Sequence, residues 1–210
     1  MVIELKTAFE ELKKEKPRKF VQSVDIIVNL QNYDVRKEAL NTFVKLPNSN
    51  KKKIAAFLTK RSSAVETITE LDFVKYKEEK AMKKLAKEYD FFIAVAPMMP
   101  KIATKFGRVF GPMNKMPSPQ GGIMPNEDED TIVKMIETMG SMVRIRNKEK
   151  SIKMSIGKED MNVEDIVANA ESVLKQLEGK LPRGKENLKD ALIKFTMTKP
   201  IKFLDNTRRA

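Results

Sequence analysis

Hydrophobic residues recur at two different spacings along this chain, and each spacing predicts one kind of element. Steps of three and four residues are typical of an amphipathic helix, whereas alternation of apolar and polar residues is typical of a strand with one buried face. The helical spacing predicts helices over residues 2–12, 78–89, 128–139 and 163–177. The alternating spacing predicts strands over residues 23–31, 42–46, 152–156 and 191–197. We expect Asn162 to cap the last helix and Gly179 to end it.

The middle of the chain has a different pattern from its two ends. Short continuous apolar runs at 54–58, 73–76 and 91–95 are typical of strands buried on both faces, and they alternate with helical stretches. Residues 51–146 are therefore predicted to form a three-layer α/β domain. The four alternating strands and two main helices of the ends predict a small antiparallel α+β domain, residues 1–50 plus 147–210, with its helices on one face of the sheet.

The distribution of charge supports this division. The 210 residues carry 41 Lys plus Arg against 29 Asp plus Glu, a net charge of +12. Residues 1–60 have 13 basic and 7 acidic side chains, residues 61–140 have 12 of each, and residues 141–210 have 16 and 10. The excess lies at the two ends, which predicts that they come together as one basic domain around a neutral insert. A basic surface of this kind favours a polyanionic partner, although a merely solubilising surplus is the simpler alternative.

Composition and motifs exclude most enzyme chemistry. The chain has no Cys and no His, which removes disulfides, thiol nucleophiles, imidazole bases and zinc sites of the Cys/His kind. It has neither GxxxxGK[ST] nor GxGxxG, and residues 127–130 lack the ligand spacing of a calcium loop. We therefore expect no catalytic residues, no metal and no cofactor. Residues 1–16 lack the apolar core of a secretory signal, and no run approaches the ~18 apolar residues of a membrane span, which predicts a soluble, cytoplasmic protein without a membrane partner.

Three stretches, taken in order, resemble the motifs of one family. They are KPRKFVQS at 16–23 before the first predicted strand, FGPMNKMPSP at 110–119, and Thr196-Met197 at the end of the last predicted strand. Their order and context resemble the universal protein of the movable lateral stalk of the large ribosomal subunit, the ribosomal protein L one family, in its archaeal form. The resemblance covers essentially the whole chain. It implies a chain-discontinuous rRNA-binding domain of the split β-α-β type, with an inserted Rossmann-like domain joined to it by two hinge strands.

The resemblance also implies which residues contact RNA. Carried over position by position, these are Lys19, Phe20, Gln22, Ser23, Lys153, Thr196, Met197 and Thr198. The implied chemistry is shape recognition of folded RNA by cations, hydroxyls and amides, and flat or flexible apolar groups. Each residue has a simpler alternative, since Phe20 and Met197 could be core residues and Lys19 a solvated charge.

The resemblance also implies binding partners, and the sequence departs from the family pattern at two places. The implied partners are large-subunit rRNA, deacylated tRNA at the exit (E) site, and the protein's own mRNA, with the chain a monomer off the ribosome. Thr198 stands where the family usually has Gly, and Met113-Asn114 stand where it has Arg-Gly, which weakens a phosphate-binding role for that loop. The alternative outside this family is a single-strand RNA reader of the RRM type. The predicted strands offer it Phe43 and Phe195 but no [KR]G[FY][GA]F run.

Overall fold

A computed structural model describes residues 4–16, 18–38, 40–48, 52–119, 121–147 and 149–206. The chain divides into two compact units. Unit 1 comprises residues 1–50 and 141–210, and unit 2 comprises residues 51–140. The helices are α1 (Leu5–Lys13), α2 (Glu79–Glu88), α3 (Met99–Phe110), α4 (Glu129–Ser141) and α5 (Val163–Lys180). The strands are β1 (Ser23–Leu30), β2 (Asn41–Lys45), β3 (Ile54–Phe57), β4 (Glu66–Ile68), β5 (Phe91–Val95), β6 (Ile123–Met124), β7 (Met142–Arg146), β8 (Ser151–Lys158), β9 (Leu188–Phe195) and β10 (Ile201–Asp205).

Unit 1 is built on a four-stranded antiparallel sheet in the order β10-β9-β1-β8. Strand β1 is central, and its side chains alternate strictly between a buried and a half-buried face. The buried face, Val24, Ile26, Val28 and Leu30, shares one apolar core with Phe9 of α1 and Val173 of α5. The mixed α/β fold expected from the sequence is therefore present, with the strands and helices of the two chain ends packed together.

Strand β2 does not join this sheet, contrary to the expected four-strand set. It pairs with β7 in a separate antiparallel ribbon, from Asn41 opposite Arg146 to Lys45 opposite Met142. The fourth strand of the main sheet is β10, which follows the Pro200 at which the alternating pattern stops. Because β7 belongs to this ribbon, unit 1 resumes at residue 141.

Unit 2 contains a parallel sheet in the order β4-β3-β5-β6. Strand β3 is buried along its whole length, as its continuous apolar run predicts. An aromatic cluster fills the core, with ring centroids 4.6 Å apart for Phe92 and Phe110 and 5.4 Å apart for Phe57 and Phe106. Gly122 precedes β6 with φ +105°, and a Cβ there would lie 3.0 Å from the Phe92 carbonyl oxygen, so this tight approach requires glycine.

Two sequence-based assignments were wrong, and a third is confirmed only in part. Residues 73–76 do not form a strand, because they belong to a 3-10 helix, Glu70–Tyr76, whose first turn is closed by a capping box between Thr69 and Asp72. Asn162 does occupy the N-cap position of α5, as expected, but its side chain makes no capping hydrogen bond there. Gly179 does not end α5, which continues through Lys180.

Two amide side chains of α5 attach the helix to the segment around β2. Asn169 is fully buried, donates to the carbonyl oxygens of Asn48 (2.6 Å) and Ile156 (2.8 Å), and accepts from the Asn48 N–H (2.9 Å). Two helical turns further along α5, Gln176 donates to the Lys45 carbonyl oxygen (2.6 Å) and accepts from the Lys45 N–H (2.9 Å). Both side chains therefore offer the backbone the donor and acceptor that a neighbouring strand would offer.

We predict that Asn169→Ala destabilises the protein by about 2–3 kcal/mol, because three backbone groups, one at buried Ile156 and two at half-buried Asn48, lose their partner. Glu171→Ala, at an exposed position of the same helix, serves as the control and should change the free energy of unfolding by less than ~0.5 kcal/mol. Denaturant unfolding measures both. Equal effects of the two substitutions would contradict the role given to Asn169.

A buried carboxylate stabilises the start of the 3-10 helix in unit 2. Asp72 accepts from Lys75 Nζ (2.7 Å) and from the hydroxyl and N–H of Thr69 (2.8 and 3.2 Å). These hydrogen bonds, the one from Lys75 first, hold the pKa of Asp72 well below its usual range. A depressed pKa stabilises the folded state above the unfolded pKa of about 3.9, and this stabilisation is lost as the pH falls below it.

We therefore predict that Asp72→Asn lowers the free energy of unfolding at pH 7 and that the difference from the wild type shrinks as the pH falls below about 4. Asp130→Asn, which removes an exposed carboxylate in the first turn of α4, is the control. Urea unfolding between pH 2.5 and 7 makes the comparison. A difference that stays constant over this range would show that Asp72 does not act through its charge.

Candidate nucleic-acid interface

Two loops of unit 1 meet where β1 begins and β9 ends. Val24 pairs with Phe195 in the sheet, which places Ser23 beside Thr196. The Ser23 N–H donates to Thr196 Oγ1 (3.1 Å), and the Thr196 N–H donates to the Ser23 carbonyl oxygen (3.2 Å). The two motifs that lie farthest apart in the sequence therefore form one surface, which we call the strand-end cluster: residues 19–23 and 196–198.

Gln22 is the buried member of the strand-end cluster. Its side chain and backbone are 2% exposed, and its Oε1 accepts from the Met197 N–H (3.1 Å). Its N–H and Nε2 both donate to Glu159 Oε2, at 3.3 Å each. Gln22 is therefore placed as a link between the two loops, with its hydrogen-bonding groups turned inward.

Two large apolar side chains of the cluster point to solvent. Phe20 is 53% exposed and Met197 is 57% exposed, and Val21, next to Phe20 in the first loop, is exposed as well. Neither Phe20 nor Met197 is a core residue, so the packing alternative does not hold for either of them. Lys19 is exposed next to Phe20. Apolar groups beside a cation on an open surface suit contacts with bases, sugars and phosphates.

Thr198 closes the turn that carries Met197. Its Oγ1 accepts from the Phe195 N–H (2.9 Å), and its own N–H donates to the Phe195 carbonyl oxygen (3.3 Å). The only non-glycine residues with positive φ in the described ranges are Asn32 and Asn114, so Thr198 does not adopt a backbone conformation that favours glycine. The hydroxyl of Thr198 therefore stabilises this turn where the family usually has Gly.

The structure does not bring Lys153 into the strand-end cluster. Lys153 lies in the middle of β8 opposite Ile27, four residues along β1 from Ser23, which is about 13 Å at strand spacing. Its Nζ lies 3.3 Å from Glu149 Oε2. It lines a shallow depression on the sheet face opposite the core together with Asp25 and Lys194. Burial raises the pKa of Asp25 there, against the opposing effect of Lys194.

Two exposed lysines that sequence reasoning did not select lie at the cluster instead. Lys158 pairs with Ser23 at the end of β8, and Lys199 follows Thr198 directly. The Gly157-Lys158 pair was visible in the sequence, but only the strand register shows that it lies opposite Ser23. Phosphate contacts are therefore available on both sides of the two loops.

The charge difference between the units is smaller than the sequence division indicates. Unit 1 has 25 basic and 17 acidic residues and unit 2 has 16 and 12, so the net charges are +8 and +4. Residues 51–53 and Lys60 account for the difference, because they belong to unit 2 and were counted with the N-terminal end. The insert is therefore basic rather than neutral, although less basic than unit 1.

The middle motif forms the turn that follows α3. Met113 packs against the core of unit 2, and Asn114 has φ +55°, the left-handed conformation for which glycine is best suited and asparagine tolerated. The Lys115 N–H donates to the Phe110 carbonyl oxygen (3.0 Å). Asn114 therefore keeps the backbone shape of the usual Gly, whereas Met113 supplies an apolar contact in place of a cation.

Among the described residues, no group of three or more His, Cys, Asp or Glu side chains is placed to hold a metal ion. Over the same residues, no helix has both the length and the apolar character needed to cross a bilayer.

Comparison with known proteins identifies the family of the chain. Residues 12–199 match the model of a family of ribosomal proteins, described as the ribosomal protein L1p/L10e family. Similar proteins include the large ribosomal subunit protein uL1 of Pyrobaculum aerophilum, 38% identical over 92% of this chain and 89% of that protein. The uL1 proteins of Methanobrevibacter smithii (35% identical, 94% and 97% covered) and Thermococcus kodakarensis (38% identical, 89% and 90% covered) are also similar.

The chain is a ribosomal protein and not an enzyme. It belongs to the ribosomal protein L1p/L10e family. The resemblance seen in its three sequence motifs is thereby confirmed, and its place is the ribosome.

The exposure of the cluster predicts small stability effects at its apolar residues. Phe20→Ala and Met197→Ala should change the free energy of unfolding by less than ~0.5 kcal/mol, because neither side chain is buried. Thr196→Val should cost about 0.5–1.5 kcal/mol, because the Ser23 N–H loses its acceptor, and Thr196→Ser should restore most of it. Denaturant unfolding measures all four. A loss above ~2 kcal/mol for Met197→Ala would mean that this side chain is part of the core.

Proposed function

We propose that the strand-end cluster of unit 1 binds large-subunit rRNA at the movable lateral stalk. Lys19, Phe20, Gln22, Ser23, Thr196, Met197 and Thr198 form this binding surface, and Lys153 makes a more distant contact from the sheet face. The observation that carries the proposal is the convergence of the two family motifs through the reciprocal hydrogen bonds of Ser23 and Thr196. Membership of a ribosomal protein family supports RNA as the ligand.

Each group at the surface has a defined chemical task in this proposal. Lys19, Lys158 and Lys199 neutralise phosphates, and Phe20 and Met197 pack on exposed bases or sugars. The hydroxyls of Ser23 and Thr196 contact 2′-hydroxyls, which distinguish RNA from DNA. The oxygen of Thr196 accepts from the Ser23 N–H, and its hydroxyl donates to the Ser23 carbonyl oxygen over a long 3.5 Å, so its second lone pair is free to accept from RNA.

The two units have different roles in the proposal. Unit 1 is a split β-α-β domain that anchors the protein to rRNA, supported by its antiparallel sheet and net charge of +8. Unit 2 is a Rossmann-like insert, supported by its parallel sheet. The chain leaves unit 1 after β2 and re-enters it just before β7, so we assign the two hinge strands to β2 and β7. Through this insert the protein assists release of deacylated tRNA from the exit site, and it is a monomer when it is off the ribosome.

The RRM-type alternative has less support from the structure. An RRM stacks bases on aromatic side chains exposed on central strands. Phe195 lies in β9, next to the central strand, but it is buried against Phe9 with ring centroids 5.6 Å apart. Phe43 lies in β2, outside the four-stranded sheet. The aromatic residues that could stack on RNA are therefore not on the face of the sheet.

We predict that Phe20→Ala weakens binding to protein-free large-subunit rRNA by about 1–3 kcal/mol, because stacking on one base is lost. Met197→Ala should also weaken binding. Leu71→Ala, at an exposed apolar position of unit 2, is the control and should bind like the wild type. Filter binding at one fixed salt concentration compares them. Wild-type affinity in both cluster variants would overturn the proposed interface.

Binding should also depend strongly on salt. Each neutralised phosphate contributes a log-log slope of roughly −0.7 to −0.9, so Lys19→Ala and Lys158→Ala should each reduce the slope by about one contact. Lys80→Ala, on α2 of unit 2, should leave it unchanged. An affinity that hardly changes between 50 and 200 mM salt would contradict a phosphate-binding surface.

Repression of its own translation uses the same surface in this proposal, because an mRNA segment that mimics the rRNA site would compete for it. The test is competition: rRNA should displace the chain's own mRNA leader, and Phe20→Ala should weaken both complexes by a similar factor. If the mRNA does not bind, the protein acts on the ribosome alone.

A further inference from the structure

A carboxylate sits at the strand-end cluster, where RNA phosphates are proposed to approach. Glu159 follows Lys158 in the turn after β8 and is half-buried. A negative charge at such a surface repels phosphate and therefore opposes RNA binding. The hydrogen bonds of Glu159 indicate a different role for this side chain.

Glu159 is bonded to Gln22 at three points. Its Oε2 accepts from the Gln22 N–H and from Gln22 Nε2, both at 3.3 Å. Its own N–H donates to the Gln22 carbonyl oxygen at 2.9 Å. The turn after β8 therefore holds both the backbone and the side chain of Gln22.

The carboxylate also sets which end of the Gln22 amide faces Met197. A carboxylate only accepts hydrogen bonds, so it requires the NH₂ group of the amide on its side. The amide oxygen must then point the other way, and it accepts from the Met197 N–H at 3.1 Å. With the amide reversed, its oxygen would face the carboxylate and its NH₂ group would face the Met197 N–H, and both contacts would be repulsive.

We infer that Glu159 is a positioning residue for RNA binding, which acts through Gln22 to hold the Met197 loop in its binding position. This inference rests on the proposed function of the strand-end cluster. Three chain segments that are distant in sequence thereby form one hydrogen-bonded chain: Glu159 to Gln22 to Met197. The hydrogen bonds require the acceptor oxygen of Glu159, whereas its negative charge is a cost to RNA binding.

The test compares three variants for binding to protein-free large-subunit rRNA at fixed salt. Glu159→Ala removes the acceptor and should weaken binding about 10-fold, because the Met197 loop is no longer held. Glu159→Gln keeps an acceptor oxygen and removes the charge, so it should bind within about 3-fold of the wild type or more tightly. Asp160→Ala removes the same charge from the exposed neighbouring residue and should bind as well as the wild type or better.

Two results would overturn the positioning role. One is Glu159→Ala binding as tightly as Asp160→Ala. The other is Glu159→Gln binding as weakly as Glu159→Ala, since an effect that the amide oxygen cannot rescue does not come from the hydrogen bonds. Thermal unfolding of each variant establishes that the binding data come from folded protein. A purely structural role would lower the melting temperature and leave the affinity of the folded fraction unchanged, which also overturns the inference.

A double-mutant cycle separates this inference from the proposed function. If Glu159 acts through the Met197 loop, Glu159→Ala combined with Met197→Ala should lose less affinity than the two single losses together. The salt slope should stay at the wild-type value in Glu159→Ala, since no phosphate contact is removed. Strict additivity would contradict the path through Met197. If neither Phe20→Ala nor Met197→Ala weakens binding, the proposed RNA surface fails. If either of them weakens binding but Glu159→Ala does not, or if only Met197→Ala is without effect, the RNA surface stands and the positioning role through Met197 is overturned.

Discussion

The pairing of β1 with strands from the far end of the chain is the constraint on which unit 1 depends. Residues 23–30 hydrogen-bond on one side to residues 151–158 and on the other to residues 188–195. Because a register slip of one residue would turn every buried side chain of β1 outward, the core fixes the register. The register in turn fixes Ser23 beside Thr196. The packing of the whole sheet therefore determines how the two short loops of the strand-end cluster are placed.

Side-chain hydrogen bonds hold the loops in place in addition to the strand pairing. Side chains that would be costly to bury alone are joined in pairs: Gln22 with Glu159, and Asn169 with the backbone of Asn48. Such groups connect segments that do not pair as strands. Exposed Phe20 and Met197 can then remain free of the core, since the loops that carry them are held by other residues. The apolar surface is thus available for a ligand at no expense to packing.

Elements with a strong local hydrophobic period could be predicted from the sequence. Features that depend on which strand or side chain an element contacts could not. The alternation at 23–31 gave β1, but nothing local distinguishes β2 as a member of a separate ribbon with β7. The apolar run at 73–76 satisfies a strand pattern, yet the Thr69 capping box makes it helical. The candidate site was predicted through motifs. Lys153 illustrates the limit, because strand position alone does not tell which end of the sheet a side chain approaches.

The discontinuity of unit 1 has a consequence for the order in which the protein matures. A ribosome that synthesises this chain completes residues 51–140 before it has made β8, β9 or β10, so the parallel sheet of unit 2 has all of its strands available while β1 still lacks both neighbours. Contacts so distant in sequence are closed late and slowly. The loop at 196–198 emerges after every strand of unit 2 and after β8 and β9. The strand-end cluster is therefore absent from any nascent chain that has not yet reached residue 196, although its first loop, residues 19–23, is made near the start of synthesis.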